Sequence, residues 1–106
     1  MNKRLEGEDI ARLCKAVLSL ETMDECYRFF EDLCTIHELE SMAQRLDVAR
    51  LLREGITYQE ISERTGASTA TISRVGRALN YGEEGYDIIL DRLASEPSNE
   101  TGSENG

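Results

Sequence analysis

The chain has no tryptophan, only two lysines (Lys3 and Lys15), and a single proline, Pro97, so no proline interrupts the first 96 residues. No apolar run approaches the roughly 20 residues that span a bilayer. The N-terminus, MNKRLEGEDIARL, has basic residues but lacks the apolar core of a signal peptide. The expected location is the cytoplasm, with no membrane contact. Cysteine is sparse and odd in number: Cys14, Cys26 and Cys34 lie at helical rather than clustered spacing, which excludes a disulfide framework. With His37 as the one histidine, a metal site lacks ligands. Each cysteine sits on an apolar face beside Leu13, Phe29 or Leu33 and is expected in the core. There is no phosphate-binding glycine loop and no internal repeat. His37 has no nucleophile partner that the sequence can point to, and the carboxylates fall on solvated helix faces. No catalytic residue, metal or cofactor is expected, and the chain does not read as an enzyme.

The formal charge is −9, but it is unevenly distributed. Residues 1–40 carry five Lys/Arg against ten Asp/Glu, and residues 81–106 carry one Arg against seven Asp/Glu. Residues 41–80 carry six Arg against four Asp/Glu and are the positive segment. A locally basic surface on an acidic chain suits specific binding of a polyanion, with strong salt dependence and little non-specific affinity.

Helices account for the whole apolar pattern. Ile10, Leu13, Cys14, Val17 and Leu18 recur at i, i+3, i+4, i+7 and i+8, which predicts an amphipathic helix over about 8–20. Thr22 with Glu25, and Thr35 with Glu38, have capping-box spacing. They open a second helix bearing Cys26, Tyr27, Phe29, Phe30 and Leu33, and a third from Ile36 to about Glu54. The inner face of the third reads as Leu39, Met42, Ala43, Leu46, Ala49 and Leu52, with Gly55 as its stop. A last helix is expected from about Glu83 to Ala94, with Tyr86, Ile89, Leu90 and Leu93 on one face. The tail 95–106, SEPSNETGSENG, has no apolar residue and is expected to be disordered.

Between the third and last helices, TYQEISERTGASTATISRVGRAL (57–79) reads as a helix-turn-helix. Thr57 with Glu60 is a third capping box, Gly66 supplies a left-handed turn, and Ser68 caps the second helix. Ile61, Ala67, Ile72 and Val75 are expected to face inward, with Ser62 small where the two helices approach. Outside lie Thr69, Ala70, Thr71, Ser73, Arg74 and Arg77. These are short hydroxyl and methyl groups that fit a major groove, followed by guanidiniums for phosphates or guanine edges. Residues 1–94 are expected to form one all-α, six-helix dimerisation and DNA-binding domain. Six helices expose more apolar surface than one small core covers, so the first two are expected to pack against a second copy. A dimer also presents two reading helices to half-sites one turn apart.

The segments CYRFFEDLCT, ELESMAQRLDVARLLREG and GASTATISR together resemble the Trp repressor family, in particular its YerC/YecD-like branch. The resemblance runs over about three quarters of the chain. It implies an all-helical, intertwined homodimer that binds double-stranded operator DNA and represses transcription. It places Thr69, Ala70, Thr71 and Ser73 on the base-reading helix and Gln59 at a contact position in the helix before it. It also places Thr35, Arg45 and Arg74 at the corepressor site. Val75 stands where the tryptophan-binding member has a glycine, and Ala78 where it has a serine, which argues against tryptophan as effector. Arg45 and Arg74 then have another reading, in pairs with carboxylates such as Asp47 or Glu38 or on phosphates. Two functions remain: a repressor, using Thr57, Gln59, Ser68, Thr69, Ala70, Thr71, Ser73, Arg74 and Arg77 on DNA, or a protein-interaction module that keeps the fold and uses its acidic surface.

Overall fold

The computed structural model describes residues 2–96. Among them are a short 3-10 turn, Lys3–Glu6, and six α-helices: α1 Glu8–Leu18, α2 Met23–Leu33, α3 Ile36–Arg53, α4 Tyr58–Thr65, α5 Thr69–Tyr81 and α6 Gly85–Ala94. No described residue is in a strand, and no helix is long and apolar enough to cross a membrane. Most of the expected tail, 97–106, lies outside the described residues. The chain divides into two compact units at Met42, within α3.

The first unit is made by its caps. Thr22 Oγ1 accepts from the Glu25 amide at 3.1 Å, and the Glu25 carboxylate reaches back to the Glu21 amide at 2.9 Å. At α3 the box closes reciprocally: Thr35 Oγ1 accepts from the Glu38 amide at 3.0 Å and Glu38 Oε1 from the Thr35 amide at 2.8 Å. Phe29 and Phe30 meet edge to face at 5.4 Å. No residue of α1 or α2 is buried. The expected burial of the cysteines is therefore corrected: Cys14 is exposed, and Cys26 and Cys34 are half-buried. Two helices and a fraction of a third are too few to enclose an apolar face.

The second unit has a core of its own: Val48, Ala49, Leu51, Ile61, Ala67, Ile72, Val75 and Leu90, with Leu46, Leu52, Ile56 and Tyr86 packed against it. The four residues expected to point inward from the helix-turn-helix are all there. The α3 face needs correction, because Val48 and Leu51 are buried whereas Met42 and Ala43 are exposed. The α3 sequence is apolar on more than one side, and burial is decided by what packs against it. Arg53 ties α3 to α6, reaching Asp91 at 2.7 Å and Asp87 at 3.3 Å. The Asp91 hydrogen bond, helped by both carboxylate charges, raises the Arg53 pKa against the opposing effect of burial.

Local stops set the element bounds. Gly66 ends α4 at φ 76°, a conformation that costs a residue with a Cβ about 1–2 kcal/mol. The α5 helix runs past the expected Leu79 to Tyr81 and stops at Gly82, where a Cβ would collide with the Ala78 carbonyl oxygen. The α6 helix starts at Gly85 rather than Glu83 because Glu84 adopts φ 69°, outside helical geometry.

Replacing Ile72 by alanine removes a fully buried side chain from the junction of α5 with the core. Chemical denaturation should show a loss of about 2–5 kcal/mol. Gly66→Ala should cost about 1–2 kcal/mol, read as a lower denaturation midpoint with an unchanged slope.

Candidate nucleic-acid interface

Both helices of the motif start with a side-chain cap. Thr57 Oγ1 accepts from the Glu60 amide at 3.2 Å, and Ser68 Oγ accepts from the Thr71 amide at 3.1 Å. Each such cap is worth about 1 kcal/mol. The Glu60 carboxylate turns forward to Arg64 at 3.6 Å, and no bond from it back to the Thr57 amide is formed.

The turn between α4 and α5 is stitched on both sides. Ser62 Oγ donates to the Ala67 carbonyl at 2.9 Å, so its role is a bond as well as small size. Thr65 Oγ1 donates to the Ile61 carbonyl at 2.7 Å and accepts from the Ala67 amide at 3.1 Å. Gln44, on α3, donates from Nε2 to the Thr65 carbonyl at 3.2 Å. Sequence reasoning missed Gln44, since nothing local links it to a carbonyl 21 residues on.

These constraints aim α5. Its buried row is Ile72, Val75 and Gly76. Turning 100° per residue, Ala70, Arg74 and Arg77 fall on the opposite side, with Thr69 and Ser73 adjoining them. Thr69, Ala70, Arg74 and Arg77 are exposed, as are Ser68, Thr57 and Gln59. Thr71 and Ser73 are half-buried, and Thr71 Oγ1 lies 3.1 Å from the Ser68 hydroxyl. Gln59 Nε2 is 3.5 Å from Glu63 Oε2, at the outer limit of a hydrogen bond.

The arginines of the central segment divide into two groups. Arg50 lies against Asp47 and Glu54, Arg53 against Asp87 and Asp91, and Arg64 against Glu60. Arg74 and Arg77 form no ion pair with any described residue. The reading of Arg74 as paired with Asp47 or Glu38 is not realised: Asp47 faces Arg50 and Glu38 closes the Thr35 box. Two exposed, uncompensated guanidiniums therefore stand on the outer face of α5, above a tip of small side chains.

Of the residues placed at a corepressor site, Thr35 caps α3 in the first unit, and Arg45 and Arg74 belong to the second. Val75 is 2% exposed, its side chain within the core. Among the described residues no group of three or more His, Cys, Asp or Glu is placed to hold a metal ion.

The family model described as Trp repressor protein matches residues 8–94. The uncharacterized protein YerC of Bacillus subtilis (strain 168) is 59% identical over 90 residues, 85% of this chain and 86% of that protein. A Trp operon repressor homolog of Chlamydia caviae is 35% identical over 86 residues, covering 80% and 82% of the two chains. Among solved structures, a TrpR-like protein from Eubacterium eligens superposes with a TM-score of 0.85 at 53% identity, covering 91% of this chain and 99% of that one. The chain belongs to the Trp repressor family, whose members are DNA-binding transcription regulators and not enzymes.

Proposed function

We propose that the protein is a sequence-specific transcriptional repressor of the cytoplasm that acts as a homodimer, each copy setting α5 into the major groove. The observation that carries this reading is the division of α5 into a buried row and an exposed row of small side chains ending in two unpaired arginines. Thr69 and Ala70 meet base edges, with the Ala70 methyl suited to a thymine methyl, and Thr71 and Ser73 offer hydroxyls beside them. Arg74 and Arg77 hold phosphates or a guanine. Thr57, Gln59 and Ser68, at the two helix starts, contact the backbone, where helix N-termini favour phosphate. Residues 1–94 work as one dimerisation and DNA-binding domain. The absence of any buried residue in α1 and α2 supports a second copy as their cover. Occupying a promoter is enough for repression and needs no catalysis.

Burial of Val75 within the core supports binding without tryptophan, since a β-branched side chain takes the room that a glycine would leave. Thr35, Arg45 and Arg74 then act as cap, structural cation and DNA contact rather than as an effector pocket.

Selection from a random duplex pool at near-physiological salt should enrich a palindrome whose half-sites lie one turn, about 34–36 Å, apart. Enrichment should be equal with and without tryptophan and lost in the Thr71→Ala/Arg74→Ala double variant. A pool left unenriched would favour the protein-interaction reading, which the acidic surface would serve. On the enriched duplex, Arg77→Ala removes one phosphate contact from each copy, so it should weaken binding across all sequences and flatten the log–log salt dependence by about 1.8, measured by titration at several salt concentrations.

A further inference from the structure

Tyr58, the first residue of α4, was not among the residues that the sequence singled out. It is 45% exposed, and its ring reaches across to α5. A Cβ placed on Gly76 would lie 3.3 Å from the Tyr58 hydroxyl oxygen and 3.6 Å from Leu52 Cδ1. The phenol oxygen therefore rests against the bare backbone of α5, close enough that a Cβ at 76 would make it give by a few tenths of an ångström. Glycine in the middle of a helix is unfavourable relative to alanine. Here its missing side chain admits a neighbour.

The atom set against Gly76 is the hydroxyl oxygen itself, so a polar group in that place calls for a reason. It forms no hydrogen bond with any described residue. Turning about 100° per residue, Gly76 lies about 20° from Thr69 and about 60° from Ser73 around α5. The hydroxyl thus sits on the border between the buried row of α5 and its exposed face. When a helix lies in a major groove, the sugar–phosphate backbone passes along such a border. Docking strips water from the phenol, and a donor left without an acceptor is costly. The acceptors that a duplex presents there are phosphate oxygens.

We propose that Tyr58 donates its hydroxyl to a backbone phosphate flanking α5, and that Gly76 is the gap that holds it in place. The proposal rests on the reading of α4 and α5 as the DNA-binding motif and adds a neutral contact that carries no sequence information. Its signature differs from that of an arginine. A neutral donor releases no counterion, so its removal lowers affinity without changing the salt slope.

The test uses the full chain and two probes, a duplex enriched from the random pool and a random-sequence duplex at low salt. Tyr58→Phe removes one hydrogen bond from each copy and should bind both about ten- to a hundredfold more weakly, with the salt dependence of the wild type and an unchanged denaturation midpoint. Gly76→Ala should weaken the wild type slightly by shifting the phenol oxygen off its place, yet add little in the Tyr58→Phe background. Wild-type affinity of Tyr58→Phe for both probes would overturn the proposal. So would a Gly76→Ala effect of equal size in both backgrounds, since the glycine would then act independently of the hydroxyl. If the wild type bound the two probes equally while Tyr58→Phe still bound more weakly, sequence-specific recognition would fail and the phosphate contact would stand.

Discussion

The turn from Thr65 to Ser68 is the constraint on which the second unit depends. Gly66 takes a positive φ, and the carbonyls and amides on either side are held by Ser62, Thr65 and Gln44. Four residues are thereby left with little freedom. Ile61 and Ala67 are carried onto the same core as Ile72 and Val75, and the outward row of α5 follows by helical geometry. A side chain on α3 taking part in that turn also means that α3 and the motif hold one another in register. Few contacts are needed because the backbone groups at the turn would otherwise be unsatisfied in a partly buried place.

Charge works by the same economy. An acidic protein that binds a polyanion must keep its cations from being neutralised at home. Arg50, Arg53 and Arg64 are used internally, on i, i+3 or i, i+4 partners or across to α6, where exposed pairs contribute little individually. Arg74 and Arg77 have no such partner among the described residues, because the residues one turn away from them on α5 are Ala70, Ala78, Ser73 and Tyr81. Surrounding acidity lowers general affinity for phosphate, and in the proposed mode of binding it leaves discrimination to the short contact surface.

The two units illustrate different sources of order. In the first, caps at Thr22 and Thr35 define where helices begin, yet no residue of α1 or α2 is more than half-buried. Caps satisfy backbone amides and contribute about 1 kcal/mol each; they do not supply a core. In the second, helices pack around Ile61, Ile72 and Leu51, and burial supplies most of the stability. The proposed second copy is what would give the first unit the cover that its apolar stripes ask for.

Sequence by itself determined the helices, the motif and its inward residues. Thr-x-x-Glu spacing, Gly55 and Gly66 act within a few residues of where they stand, so their effects are legible locally. It also determined the small-residue tip and the two arginines of α5, since a 3.6-residue period leaves one arrangement once Ile72 and Val75 face in. Tertiary structure decided what depends on distant neighbours. It selected Val48 and Leu51 over Met42 and Ala43 on an α3 that is apolar on several sides, and it left the cysteines outside a core. It brought Gln44 to the turn and laid Tyr58 over Gly76. Burial and long-range hydrogen bonds belong to pairs of elements, and a single strip of sequence records only one member of each pair.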